Sequence, residues 1–258
     1  MSYVERLFAL TGQNTVVIGG SGVLGSAMSE GLARAGANVA ILGRNLKKAQ
    51  RQAERLKAYG VSSLAIQADV TSKQALQSAC DQIRQVWKRV DILVNAPGVN
   101  SATPFFDVTE QEWEQIMAIN LKGVFLACQI FGKQMLVQQS GNIINISSMA
   151  SGPPLSKVFT YSVSKAGLNN LTQNLAREWA GQGIRVNAIL PGFFPAQQNK
   201  KILTPERKAA IFGHTPMGRF GESGELIGTL LWLAADRASS FVTGALIPVD
   251  GGFSAMSI

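Results

Sequence analysis

The chain has 258 residues, of which 46% are apolar and 16% charged, and it carries a net charge of +8. That balance excludes a disordered chain, and the length lets one α/β domain bury its core without disulfide or metal staples. No unbroken run of about 18 apolar residues stands out, so no membrane span is expected. Met1 to Leu10, interrupted by Glu5 and Arg6, does not read as a secretory leader. The basic surplus is scattered, with only short clusters such as Lys47-Lys48 and Lys200-Lys201. Nucleic acid is therefore not expected as a partner, whereas an anionic small molecule fits the charge. Cys80 and Cys128 have no metal-ligand spacing. They are expected to be reduced core thiols of a cytoplasmic protein, with no metal site.

Along the chain, apolar β-branched runs alternate with helical periodicity. Thr15–Gly19 reads as a strand and Leu24–Ala35 as the helix after it. Strand Val39–Leu42, helix Lys47–Ala58, strand Leu64–Gln67 and helix Ser72–Trp87 follow. Next come strand Ile92–Asn95 and a long helix, Glu112–Lys133. Strand Ile143–Ser147, helix Tyr161–Ala180 and strand Ile184–Leu190 complete the middle. Helix Glu222–Ala234 and strand Ala245–Val249 close the chain. Strands this apolar belong in a parallel sheet covered on both faces. The expected fold is a single-domain, doubly wound parallel sheet (a Rossmann fold) over residues 1–258, with about seven strands. The long irregular segment at about 191–215 reads as a substrate loop or lid, with a short helix starting near Pro205.

Gly19-Gly20-Ser21-Gly22-Val23-Leu24-Gly25 joins the first strand to a helix. Glycines there allow a tight turn and close approach of a pyrophosphate to the helix N-terminus. The second strand ends Gly43-Arg44-Asn45 and lacks a carboxylate to bind a ribose 2′-hydroxyl. Arg44 suits a 2′-phosphate, so NADP(H) is expected in preference to NAD(H); the alternative is a solvated surface arginine. Asp69-Val70 and Asn95-Ala96-Pro97-Gly98 fall at carboxyl ends of strands, where the ligand crevice belongs. Asp69 either accepts from an adenine amino group or caps the helix that follows.

Tyr161 and Lys165 are four apart, on one face of a helix, thirteen and seventeen residues beyond Ser148. Asn120 precedes them in Asn-Leu-Lys-Gly, Ser148 ends Asn-Ile-Ser-Ser, and the pair lies in Tyr-Ser-Val-Ser-Lys. With the glycine loop, this order resembles the short-chain dehydrogenase/reductase family over nearly the whole chain. The resemblance implies Asn120, Ser148, Tyr161 and Lys165 as the catalytic set. It also implies Pro191-Gly192, followed by Phe194, beside the nicotinamide, and a water held by Asn120 that links Lys165 to solvent. Tyr161 would donate the proton to a carbonyl that receives hydride. Lys165 would lower the phenol pKa from about 10 and bind the nicotinamide ribose. Ser148 would polarise the substrate oxygen. Ser147, one residue earlier on a strand, would point the other way.

Val23 stands where the family usually has glycine, Ala96-Pro97 interrupts the familiar Asn-Asn-Ala-Gly, and the threonine often found after Pro-Gly is replaced near Ala196. Gly-Val-Leu-Gly, Pro-Gly-Phe-Phe, His-Thr-Pro-Met-Gly-Arg-Phe-Gly-Glu and Val-Asp-Gly-Gly-Phe-Ser-Ala resemble the mannonate (fructuronate) and gluconate dehydrogenase branch. That likeness implies a small polar keto acid or sugar-type substrate. Gln197, Gln198, Asn199, Lys200 and Lys201 are either its contacts or plain loop residues. A 3-oxoacyl-[acyl-carrier-protein] reductase is the alternative enzyme, and a non-catalytic dinucleotide-binding regulator the alternative of another class. His214, the sole histidine, is expected to be structural or to hydrogen-bond within the substrate loop. The family resemblance further implies a homotetramer built through the long helices and the C-terminal segment.

Overall fold

The protein is described by a computed structural model covering residues 2–195 and 204–256. Seven strands form one parallel sheet: β1 (Asn14–Ile18), β2 (Asn38–Gly43), β3 (Ser63–Gln67), β4 (Ile92–Asn95), β5 (Gly141–Ile146), β6 (Ile184–Pro191) and β7 (Leu246–Val249). Their spatial order is β3-β2-β1-β4-β5-β6-β7. The order reverses between β1 and β4, so the connections leaving those strands turn to opposite faces and open a crevice at their carboxyl ends.

Alternation along the strands shows why both faces must be covered. Val16, Ile18, Ala40 and Leu42 belong to one buried cluster, while Val17, Val39 and Ile41 belong to another. The first cluster is closed by α4 (Lys73–Trp87), α6 (Gly123–Gln138) and α7 (Phe159–Trp179). The second is closed by α2 (Val23–Arg34), α3 (Leu46–Leu56) and the helix Ile227–Ala234. Side-chain caps set several helix starts. Asn45 Oδ1 accepts from the Lys48 amide at 3.0 Å and Ser72 Oγ from Ala75 at 3.2 Å.

The observed strands lie within two residues of the expected limits at each end. The expected helix Glu112–Lys133 is longer and not uniform. It runs as α5 (Glu110–Met117), a π turn over Ala118–Lys122, then α6. The expected helix Glu222–Ala234 begins as a 3₁₀ turn, Ser223–Leu226. The helix α1 (Tyr3–Phe8) and the turn of helix Asp236–Ser239 were not foreseen, because each is too short to show a period. The stretch 110–138 is long and apolar enough to cross a membrane by length and composition alone. In the fold its apolar residues serve the core: Val124, Ala127, Phe131 and Met135 are fully buried. Cys80 and Cys128 are free thiols in the same core, and burial pushes them up to about 11 and about 12.

A row of polar side chains crosses that core. Asn95 Nδ2 donates to Asn145 Oδ1 at 2.9 Å, and Asn145 Nδ2 donates to Thr172 Oγ1 at 2.9 Å. Thr172 Oγ1 in turn donates to the Leu168 carbonyl at 2.8 Å. The row ties β4 to β5 and β5 to α7, the helix that carries Tyr161 and Lys165. Asn145→Ala leaves the Asn95 amide only the weak Cys128 sulfur at 3.5 Å as acceptor and is expected to cost about 1–3 kcal/mol. Urea unfolding should show a lower midpoint at unchanged slope, and an unmoved midpoint would show that the row adds no stability.

Candidate active site

The crevice between β1 and β4 is built from backbone. Gly19, at φ +78°, turns the chain out of β1 so closely against β4 that a Cβ there would stand 2.8 Å from the Ala96 carbonyl oxygen. Gly25 seals the other side of the turn: a Cβ would meet the Gly19 oxygen at 2.1 Å. Gly22 caps α2 without a side chain, which leaves the first helical N–H groups, from Val23 to Gly25, facing the cleft. Val23 and Leu24 line this cleft, as do Ala96, Pro97 and Gly98 across from them and Pro191, Gly192 and Phe194 at its far end. The cradle and its donors therefore fit a pyrophosphate. Valine at position 23 is accommodated because it stands at the open side of the cleft, 52% exposed.

At the end of β2, Arg44 is exposed, and its charge helps hold Asp69 below the usual carboxylate range. The main cause of that depression is the Thr71 amide and hydroxyl, which both donate to Asp69 Oδ1, at 2.9 and 2.8 Å. Ser72, not Asp69, caps α4. Asn45 uses Oδ1 as the cap of α3 and keeps its amide donors. Ser21 Oγ lies 3.4 Å from where a Cβ of Gly43 would be, so glycine loop and β2 end form one corner. Two residues expected at the cofactor have side chains committed to packing, which leaves only their backbone for that role. The Asn95 side chain is fully buried in the polar row, and Val70 packs where a Cβ of Gly123 would come within 2.8 Å.

The four residues implied as catalytic converge on the other half of the cleft. Ser148 follows β5, and its Oγ accepts from the Ala150 amide at 3.1 Å, which leaves its proton to donate. Ser148 and Tyr161 border the cleft together. Ser147 instead donates to the Lys165 carbonyl at 3.2 Å, so its hydroxyl is committed to α7. Lys165 is 3% exposed, donates to the Ile146 carbonyl at 2.8 Å and lies 5.8 Å from the Tyr161 ring centre. Asn120 sits in the π turn, where the helix widens. Its amide clamps both backbone groups of Val99 at 2.9 Å and donates to Ser164 Oγ at 3.1 Å. Ser164 passes the contact on to the Tyr161 carbonyl at 2.7 Å. Asn120 thus holds the wall of the cleft and the first turns of α7. A Cβ on Gly98 would lie 3.7 Å from Lys165 Nζ and 3.9 Å from Asn120 Oδ1, so both groups border the same backbone.

The electrostatics differ from the sequence expectation. Burial holds Tyr161 above the ordinary phenol value, with Ser148 pulling part of the way back. Burial also lowers Lys165 to about 8. Lysine does not dominate the phenol because the same enclosure desolvates both groups.

Beyond Tyr161 the cleft opens into a second cavity of about 510 Å³. Ser148 and Tyr161 form its floor, and Met149, Leu155, Phe193 and Ile211 contribute apolar walls. Arg207 reaches it from the helix Pro205–Gly213, which Thr204 caps by accepting from the Arg207 amide at 3.2 Å. The sequence reading missed Arg207. The Thr204-Pro205 helix start and the four-residue step to Ile211 were its available signals. Ser164 was missed too, and only the fold brings it to Asn120. His214 packs edge-on against Phe253 at 4.7 Å between ring centres, a structural contact. Ala196 and the polar run Gln197, Gln198, Asn199, Lys200 and Lys201 lie outside the described residues. Among the described residues no cluster of histidine, cysteine and carboxylate could hold a metal.

A family model described as Enoyl-(Acyl carrier protein) reductase matches residues 19–254. The 5-keto-D-gluconate 5-reductase of Escherichia coli strain K12 is 34% identical over 96% of this chain and 98% of its own. A putative D-mannonate oxidoreductase from Haemophilus influenzae, solved with bound NAD, superposes with a TM-score of 0.93 at 37% identity, covering 98% and 99% of the two chains. A gluconate 5-dehydrogenase from Burkholderia cenocepacia, solved with NADP and tartrate, gives 0.94 at 30% identity, covering 99% and 100%. With the glycine cradle, the buried lysine and the tyrosine that shares its helix face, these likenesses make the chain a member of the short-chain dehydrogenase/reductase family.

Proposed function

We propose that the protein is an NAD(P)-dependent oxidoreductase that interconverts a carbonyl and a secondary alcohol on a small polar keto acid or sugar-type substrate, with NADP(H) preferred. The observation that carries this reading is the meeting of Ser148, Tyr161 and Lys165 where the dinucleotide cleft joins the 510 Å³ cavity. The relatives that act on gluconate and its keto form supply the substrate class. The preference for NADP(H) rests on Arg44 and on the absence of a carboxylate at the end of β2.

When bound, nicotinamide supplies hydride to the carbonyl carbon or removes it from the alcohol. Ser148, one lone pair occupied by the Ala150 amide, donates its proton to the substrate oxygen and fixes its position. Tyr161 gives its proton to that oxygen in reduction and takes it back in oxidation. Lys165 carries two further protons besides the one on Ile146, and its charge stabilises the phenolate left behind. Asn120 keeps Val99 and α7 in place and has one Oδ1 lone pair left for a water. A homotetramer in the cytoplasm completes the proposal. The apolar face that α5, the π turn and the start of α6 share with Leu171 of α7, carrying Trp113 at 42% and Phe125 at 41% exposure, is the surface a second copy would cover.

The first test follows NADPH and NADH oxidation with keto sugar acids, neutral ketoses and 3-oxoacyl thioesters. Turnover restricted to the thioesters would replace this reading with that of an acyl reductase. Tyr161→Phe removes the proton donor and should lower turnover about 10²-fold or more; near-normal turnover would take Tyr161 out of the mechanism. Arg44→Ala should raise the KM for NADPH about ten-fold while leaving that for NADH nearly unchanged, the cost of a lost charge-assisted pair. Equal affinity of variant and parent for NADPH would leave Arg44 as a surface residue. Lys165 loses its charge as pH rises through about 8, so kcat/KM for carbonyl reduction should fall across that pH. A profile that stays flat well past it contradicts the role given to the ammonium.

A further inference from the structure

The substrate cavity has one formally charged side chain on its described wall, and it is a cation. Arg207 occupies the third position of the helix Pro205–Gly213, where Thr204 Oγ1 fixes its amide. Ile211, one turn on, shares its face and is 4% exposed, so the helix is anchored by an apolar contact while Arg207 borders the opening. Among the described residues the Arg207 guanidinium has neither an ion-pair partner nor a hydrogen-bond acceptor. Arg185 and Arg219, by contrast, are paired with Asp236 and Glu225 at 2.7 and 2.6 Å. Among the described residues no carboxylate lines this cavity.

We infer that Arg207 is a specificity-determining residue that binds the carboxylate of the substrate, so that the enzyme selects keto acids over neutral ketoses. The inference rests on the oxidoreductase reading above and narrows it. The inner wall at Met149, Leu155, Phe193 and Ile211 offers a carboxylate no partner, so the cation at the mouth is where it is held. A guanidinium offers it two parallel donors, a geometry that a hydroxymethyl group cannot use. With Tyr161 and Ser148 holding the reacting oxygen at the floor, a carboxylate held at the rim fixes both ends of a short polyhydroxy chain. It thereby decides which carbon lies over the proton donor.

The test compares the parent, Arg207→Ala and Arg207→Lys with a keto aldonic acid and with the matched ketose whose carboxylate is replaced by hydroxymethyl. Arg207→Ala should raise the KM for the acid about ten-fold or more. The KM for NADPH and the turnover of the ketose should stay within about two-fold, and Arg207→Lys should recover part of the loss. Competitive inhibition by the aldonate and by the corresponding alditol gives the same comparison where the ketose turns over too slowly to measure. An unchanged KM for the acid overturns the inference. So does a parallel loss for acid and neutral compound, which marks a structural role for the helix. A parent enzyme that reduces neither acid nor ketose defeats the sugar-acid reading on which the inference rests, an outcome separate from failure of Arg207 in an active enzyme.

Discussion

The near-contact of two backbone segments, Gly19 after β1 and Ala96 after β4, is the constraint on which the rest of the site depends. The connections that leave the two strands diverge there because the sheet reverses its winding. A side chain on Gly19 would run into the Ala96 carbonyl. With none on Gly19, the turn folds over Ala96 and aims the start of α2 across the crevice. Gly25 then lets the helix return close to the turn that launched it. The cleft is consequently made of main chain, and its donors do not depend on rotamers. That rigidity suits a ligand whose phosphates are the same whatever substrate is reduced.

The catalytic half is organised by burial. Lys165 is held by one carbonyl and enclosed almost completely, so its charged and neutral forms are nearly balanced around pH 8. The same enclosure favours the neutral form of Tyr161 too, which for a phenol moves the pKa up where for the lysine it moves down. The enclosure thus keeps the proton on the phenol until a developing negative charge next to it draws the proton away. The polar row from Asn95 to Thr172 and the clamp from Asn120 to Ser164 are the supports that keep α7 in position for this. Neither support touches a reacting atom, yet each fixes one side of the helix on which the proton donor rides.

Much of this was legible in the sequence. The strands announced themselves as apolar runs of four to eight residues, and the parallel sheet followed from their burial on both faces. The glycine loop, Ser148, Tyr161 and Lys165 were legible because each must stand at a fixed place on a strand end or helix face. What stayed hidden depended on side-chain direction. Asn95 lies at a strand end like a ligand residue, but the pleat turns it into the core. Asp69 precedes a helix, but the serine three residues on takes the cap. Arg207 is separated from Tyr161 by 46 positions, and no local pattern connects them. The opposing pull of burial on tyrosine and lysine is a property of the enclosure, and spacing alone says nothing about it.

The π turn at Ala118–Lys122 explains why one periodicity could not describe the helical stretch that contains it. A π turn spends one residue more than the α-helical geometry on either side of it. Across that point the apolar stripe shifts phase by roughly one helical step, about 100°. Ile116 before it and Val124 after it nevertheless both face inward. The turn acts as a phase corrector: the extra residue is absorbed locally, and Asn120 is the residue set at the place where it is absorbed. Shortening the segment by one residue would turn the chain into a regular helix. It would then have to choose between keeping α6 in register with the core and keeping the amide clamp on Val99.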